Sequence, residues 1–179
     1  MDRVADLAGV AKGTLYRYFT TREELLLAVW DRDHADWLDA MAETLNRGAG
    51  PVTDRDIAAA AVETALARPR LCCLHGIVHT VLSANLTLAA ARGFAQRRMD
   101  RTAAAAALLE RWGDGLTAAQ ALRWLLCLDA IMAGMLPLAA PSPAVVQALE
   151  GPRLRGLRLD VEAELRLVAA VTLAGLRGP

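Results

Sequence analysis

The chain has 179 residues, enough for one well-packed domain or for a small module attached to a larger one. Twenty basic residues balance twenty acidic ones, so no global charge draws the chain onto nucleic acid; 55% of residues are hydrophobic, yet Arg, Asp and Glu are expected to interrupt each apolar run short of a bilayer span. No signal-peptide pattern opens the sequence, and its three cysteines, Cys72, Cys73 and Cys127, are odd in number with two adjacent, so a reduced, cytoplasmic chain with no membrane partner is expected.

Taken in chain order, glycine, proline and capping residues divide the sequence into helices. Asp2 can cap a short helix over 3–8, Gly9 can take a positive φ at a tight turn, and a second short helix follows over 12–19. Thr21-Arg22-Glu23-Glu24 is a capping box; the helix it opens runs through Trp30 and Trp37 to about 45 and ends before Gly48, Gly50 and Pro51. Thr53 starts a helix that stops at Arg68-Pro69, and 71–84 is so apolar that it reads as a helix buried on all sides. Further helices are expected over 87–112, over 117–139 from the capping box Thr117 to Gln120, over 144–149, and over 160–177 from Asp160. The alanine run at 103–107 suits a tight helix contact, and no period-two alternation points to a sheet, so the fold class is all-α.

The most informative stretch is "GVAKGTLYRYFTTREEL", residues 9–25. Residues 1–22 hold the cations Arg3, Lys12, Arg17 and Arg22 against Asp2 and Asp6, and Lys12 is the sole lysine of the chain. Two short helices joined by a glycine turn make a helix-turn-helix, whose second helix lies in the DNA major groove. Val4, Ala8, Val10, Leu15 and Phe19 read as the inward side, leaving Lys12, Thr14, Tyr16, Arg17 and Tyr18 outward. Cations and hydroxyls are the side chains that bond phosphate oxygens and base edges, Gly13 allows close backbone approach, and the helix start at Arg22 offers N–H groups to a phosphate.

"VADLAGVAKGTLYRYFTTREELLLAV" resembles the amino-terminal DNA-binding signature of the TetR family of transcriptional repressors, with Gly9, Val10, Lys12, Gly13, Thr14, Leu15, Tyr16, Phe19, Glu24 and Leu25 where that pattern expects them. The resemblance implies a helix-turn-helix domain over 1–26 and a helical ligand-binding and dimerisation domain over 27–179. It implies a homodimer paired through the helices at 118–139 and 160–177, a small-molecule effector held by the middle helices, and double-stranded operator DNA released when the effector binds. By position, Lys12, Gly13, Thr14, Tyr16, Arg17, Tyr18 and Arg22 are the expected DNA-binding residues. Ala11 departs from the pattern where a capping residue is usual, and Leu7 where a polar one is. Met1 aligns near the start of the family's second helix, so the first helix is expected to be missing and the faces of Val4, Leu15 and Phe19 to be uncovered. The competing expectation is a helical dimer that binds a small molecule or protein without binding DNA.

Other constellations are weaker. Cys72, His75 and His79 share one helix face and are zinc or copper ligand types, yet one helix seldom completes a site, so no metal is expected and the residues read as polar groups in an apolar pocket or as satisfied core histidines. Trp37, His75, His79 and Met132 are the candidate pocket residues. Arg92, Arg97, Arg98 and Arg101 read as a solvated cationic face, with an anionic effector or an interface as the alternative. No catalytic triad, phosphate loop or dinucleotide fingerprint is present, so neither an enzyme nor a cofactor is expected.

Overall fold

The computed structural model describes residues 1–48, 51–84 and 86–177. Among these the chain is helical throughout, with one isolated parallel bridge, Val52 to Gly113, in place of any sheet. The helices are α1 (Asp2–Ala8), α2 (Lys12–Tyr18), α3 (Arg22–Asn46), α4 (Asp54–Leu66), α5 (Pro69–Ile77), α6 (Leu88–Trp112), α7 (Ala118–Met135), α8 (Pro143–Ala148) and α9 (Val161–Arg177).

Capping chemistry sets most of the boundaries. Thr21, Thr87 and Thr117 each accept the N–H three residues on, and Asp160 does the same from Ala163. Thr117 and Gln120 form the full reciprocal box, as do Thr53 and Asp56. Two caps differ from expectation. Asp2 lies inside α1 without capping it, and the Glu24 carboxylate reaches back to the Thr20 N–H at 2.8 Å instead of that of Thr21. Gly50, expected near the end of α3, lies outside the described residues.

The bundle is built around α7, which packs against α5, α6 and α9, while α3 packs against α4, α5 and α6. Tryptophans stitch the layers with their polar edges: Trp37 Nε1 donates to the Ala61 carbonyl at 2.8 Å and Trp124 Nε1 to that of Ala169 at 2.9 Å, so each large ring is buried without an orphaned donor. Ala105 and Ala106 in the alanine run are buried.

Two expectations are corrected here. The segment from 71 onwards is not buried on all sides: α5 gives way at Val78–Leu82 to a π-helical turn, and Cys73, His79 and Val81 are exposed. Residues 118–139 are also long and apolar enough to cross a membrane by length and composition, with a mean hydropathy of 1.6. They form the central helix of the bundle, with Trp124, Leu125 and Leu128 in the core.

Candidate nucleic-acid interface and buried polar centre

α1 closes on Gly9, which takes φ 65°. The N–H of Gly9 bonds the Asp6 carbonyl and that of Val10 the Ala5 carbonyl, a Schellman arrangement that needs a residue at ease with positive φ. The turn throws α2 across α1. Ala11 precedes α2 without a side-chain cap, leaving the helix start held by backbone bonds alone.

The inward side is narrower than the sequence pattern suggests. Ala5 and Leu15 are buried and Phe19 is half-buried, but Val4, Ala8 and Val10 face solvent. Leu15, expected to be uncovered, is only 8% exposed. Lys12, Gly13, Tyr16, Arg17 and Tyr18 are all exposed and Thr14 is half-buried, so one face of α2 is polar, cationic and phenolic while Leu15 anchors the other. A Cβ added to Gly13 would meet nothing within 4 Å, so internal packing does not demand glycine there. Arg22 stands exposed at the first position of α3. Lys12 Nζ lies 2.6 Å from Asp2 Oδ1; their hydrogen bond and mutual charge lower the Asp2 pKa and raise that of Lys12.

Deep in the bundle lies a second polar constellation, centred on Asp129 of α7. Its carboxylate receives His34 Nε2 at 3.2 Å and Arg98 Nη2 at 2.8 Å, from α3 and α6 respectively. His75 of α5 donates from Nε2 to the Asp129 carbonyl at 3.0 Å and accepts the Trp30 indole N–H on Nδ1 at 3.2 Å. Those two bonds fix the neutral tautomer of His75, and burial lowers its pKa in the same sense. Burial would raise the Asp129 pKa, but the His34 hydrogen bond and the nearby positive charges outweigh it and hold the carboxyl at about 2.

A ring of acid–arginine pairs surrounds this centre. Asp31 takes Arg97 and Arg101, both at 2.8 Å, and Asp33 takes Arg70 through two bonds of 2.6 Å. The solvated-face reading of the arginines on α6 is therefore corrected: Arg97, Arg98 and Arg101 grip α3 and α7, and Arg92 alone of the four lacks a carboxylate partner among the described residues. A signal for this centre was present in the sequence, since Asp129 is the one acid in the largely apolar helix α7 and could be buried there only with partners.

Of the candidate pocket residues, Trp37, His75 and Met132 are packed in the core and His79 faces outward. An open cleft of about 830 Å³ lies elsewhere, lined by Leu138, Val145, Leu149, Leu157 and Val161 among others. Cys72 and His79 do not join His75 in a common cluster: the Cys72 thiol donates to the Ala65 carbonyl, both nitrogens of His75 are engaged, and His79 lies exposed in the π-turn. Among the described residues no group of three or more His, Cys, Asp or Glu is placed to hold a metal.

A glycine-turned helix pair with an exposed cationic and phenolic face, carried on an all-helical bundle, defines a DNA-binding regulator of the helix-turn-helix class. Residues 1–29 match the family described as bacterial regulatory proteins, tetR family, and residues 31–179 match the tetracyclin repressor-like C-terminal domain. The chain belongs to the TetR family, whose members are in general ligand-responsive DNA-binding transcriptional regulators. No curated protein matches the chain.

Proposed function

We propose that the protein is a homodimeric cytoplasmic repressor that inserts α2 into the major groove at each half of a pseudo-palindromic operator and leaves it when a small-molecule effector binds. The observation that carries this reading is the face of α2, where Lys12, Tyr16, Arg17 and Tyr18 are exposed around an open Gly13 and Leu15 is the helix's sole buried side chain. Lys12, Thr14, Tyr16, Arg17 and Tyr18 contact phosphates and base edges, and Arg22 takes a phosphate at the start of α3. Support for the dimer comes from α7 and α9, where Leu126, Leu167 and Val171 are exposed on adjacent helices. Because Trp37, His75 and Met132 are packed in the core, the proposed effector region is the open apolar cleft of about 830 Å³ lined by Leu138, Val145, Leu149, Leu157 and Val161.

The test is fluorescence anisotropy of the chain against labelled duplex from upstream of its own gene, over a series of salt concentrations. If Lys12, Arg17 and Arg22 of both subunits meet phosphates, log K against log salt falls with a slope no steeper than roughly −5. Tyr16→Ala and Arg22→Ala weaken binding to all duplexes alike. Binding by the unaltered chain no tighter than that of Tyr16→Ala would sink the proposal and favour a helical dimer that binds a small molecule or protein.

A further inference from the structure

Two of the three cations of the DNA-binding face already have partners. Lys12 Nζ sits 2.6 Å from Asp2 Oδ1, and Arg22 Nη2 sits 3.4 Å from Glu23 Oε1. Arg17, the third cation of the face, has no carboxylate within 4 Å among the described residues. The Lys12–Asp2 pair is on the solvent side, its side chains 57% and 71% exposed; in the second pair Arg22 is 70% exposed and Glu23 20%. A phosphate oxygen and a carboxylate oxygen make the same charge-assisted bond to an ammonium or guanidinium. The ligand that these two cations are suited to is therefore represented in the free protein by its own acids.

We propose that Asp2 and Glu23 act as built-in competitors of the DNA backbone: they occupy Lys12 and Arg22 in the free protein, are displaced when a phosphate arrives, and so hold DNA affinity below what the cations alone would give. The inference rests on the DNA-binding reading above. When the phosphate takes Lys12, Asp2 is left as an unpaired anion close to a polyanion and recovers a counterion from solution. Part of the counterion release that drives binding is thereby cancelled. The effect does not depend on sequence, because phosphate contacts position the protein without reading bases.

A plain structural role for Asp2, fastening α1 to α2, predicts the opposite sign, since loosening the unit would weaken binding. The experiment titrates the full 179-residue chain, Asp2→Asn, Glu23→Gln, the double variant and Tyr16→Ala onto operator-region duplex and onto a scrambled duplex, at four salt concentrations. Asp2→Asn is expected to bind both duplexes about two- to fivefold more tightly, the range open to an exposed ion pair. Its salt slope steepens by up to about 0.9 per subunit, because no freed carboxylate takes up a counterion to offset the one released from the phosphate. Glu23→Gln adds a smaller step in the same direction, because its pair is longer. Unchanged affinity and slope, or weaker binding, in Asp2→Asn while the unaltered chain still outbinds Tyr16→Ala would overturn this inference and leave the DNA-binding reading standing. Binding by the unaltered chain no tighter than that of Tyr16→Ala would overturn both.

Discussion

The helix-turn-helix unit and the bundle use the same charged side chains for opposite ends. In the unit, Lys12 and Asp2 meet in open solvent, where an ion pair contributes little to stability and exchanges readily for another anion. In the bundle, Asp129 is 1% exposed and holds three helices at once through His34, Arg98 and His75. Burial decides the difference. A charge that can return to water is available for recognition, whereas one that cannot becomes a fastening whose loss leaves its partners stranded. The bundle can therefore hold α3 firmly while the two short helices at its amino end present a surface whose side chains are free to change partners.

The largest expected effect comes from breaking the buried side of that contrast. Asp129→Ala strands Arg98 and His34, and urea denaturation should show a loss of about 3 to 5 kcal/mol. The pH dependence has a definite sign. The folded carboxyl is held at about 2 against an ordinary value of 3.8, so its stabilisation is complete above about pH 4 and is lost as pH falls through 2. Between those values the unaltered protein should lose about 2 kcal/mol that Asp129→Asn does not lose.

Next in size is Trp30→Phe. The ring volume is largely kept, but His75 Nδ1 loses its donor inside the core, which costs about 1 to 3 kcal/mol. The same measurement on Trp30→Phe combined with His75→Phe should cost less than the two single losses together, because the Nδ1 acceptor stranded by the first change is removed by the second, while the bond from His75 Nε2 to the Asp129 carbonyl is lost with it. A double variant that is simply the sum of its parts would mean that the indole–imidazole bond is not what couples α3 to α5.

Much of this was legible in the sequence, and what was not has a physical cause. Thr21, Thr87, Thr117 and Asp160 announce helix starts because a cap is a local interaction spanning three residues. The Gly9 turn and the face of α2 were readable for the same reason. The π-turn after Ile77 was not, since it carries no glycine or proline of its own; nearby, Gly76 lies so close to α7's end that a Cβ there would come within 2.8 Å of Pro137. The pairing of Asp31 with Arg97 and Arg101 was equally hidden, because those partners lie 66 and 70 residues away. Val4 and Val10 looked inward because an apolar residue beside a turn suits either side, and only the crossing of α1 and α2 decides.

In the exposed unit the expected stability effects shrink. Gly9→Ala forces a Cβ into the left-handed region, at a cost of about 1 to 2 kcal/mol, although the space around it is open. The strain falls on the α1–α2 turn, so hydrogen exchange should quicken in residues 2–18 while the bundle amides of α7 and α9 keep their protection. Equal quickening in both would show the two regions to be one cooperative unit.

The smallest stability change should come from Tyr16→Ala, and it makes the sharpest test of the comparison. Tyr16 is 45% exposed and forms no side-chain hydrogen bond among the described residues, so its loss should move the unfolding midpoint by no more than about 0.5 kcal/mol. DNA affinity should nevertheless fall for specific and scrambled duplexes alike, since a phenolic hydroxyl bonding phosphate carries no sequence information. Asp129→Asn supplies the mirror image: it alters stability and its pH dependence but touches no group on the face of α2. Measured together, the two variants separate folding from recognition, provided that Asp129→Asn is titrated with DNA where it is still fully folded. If Tyr16→Ala costs as much stability as the caps do, about 1 kcal/mol, then α2 is held by more than Leu15, and its exposed face serves packing as well as DNA.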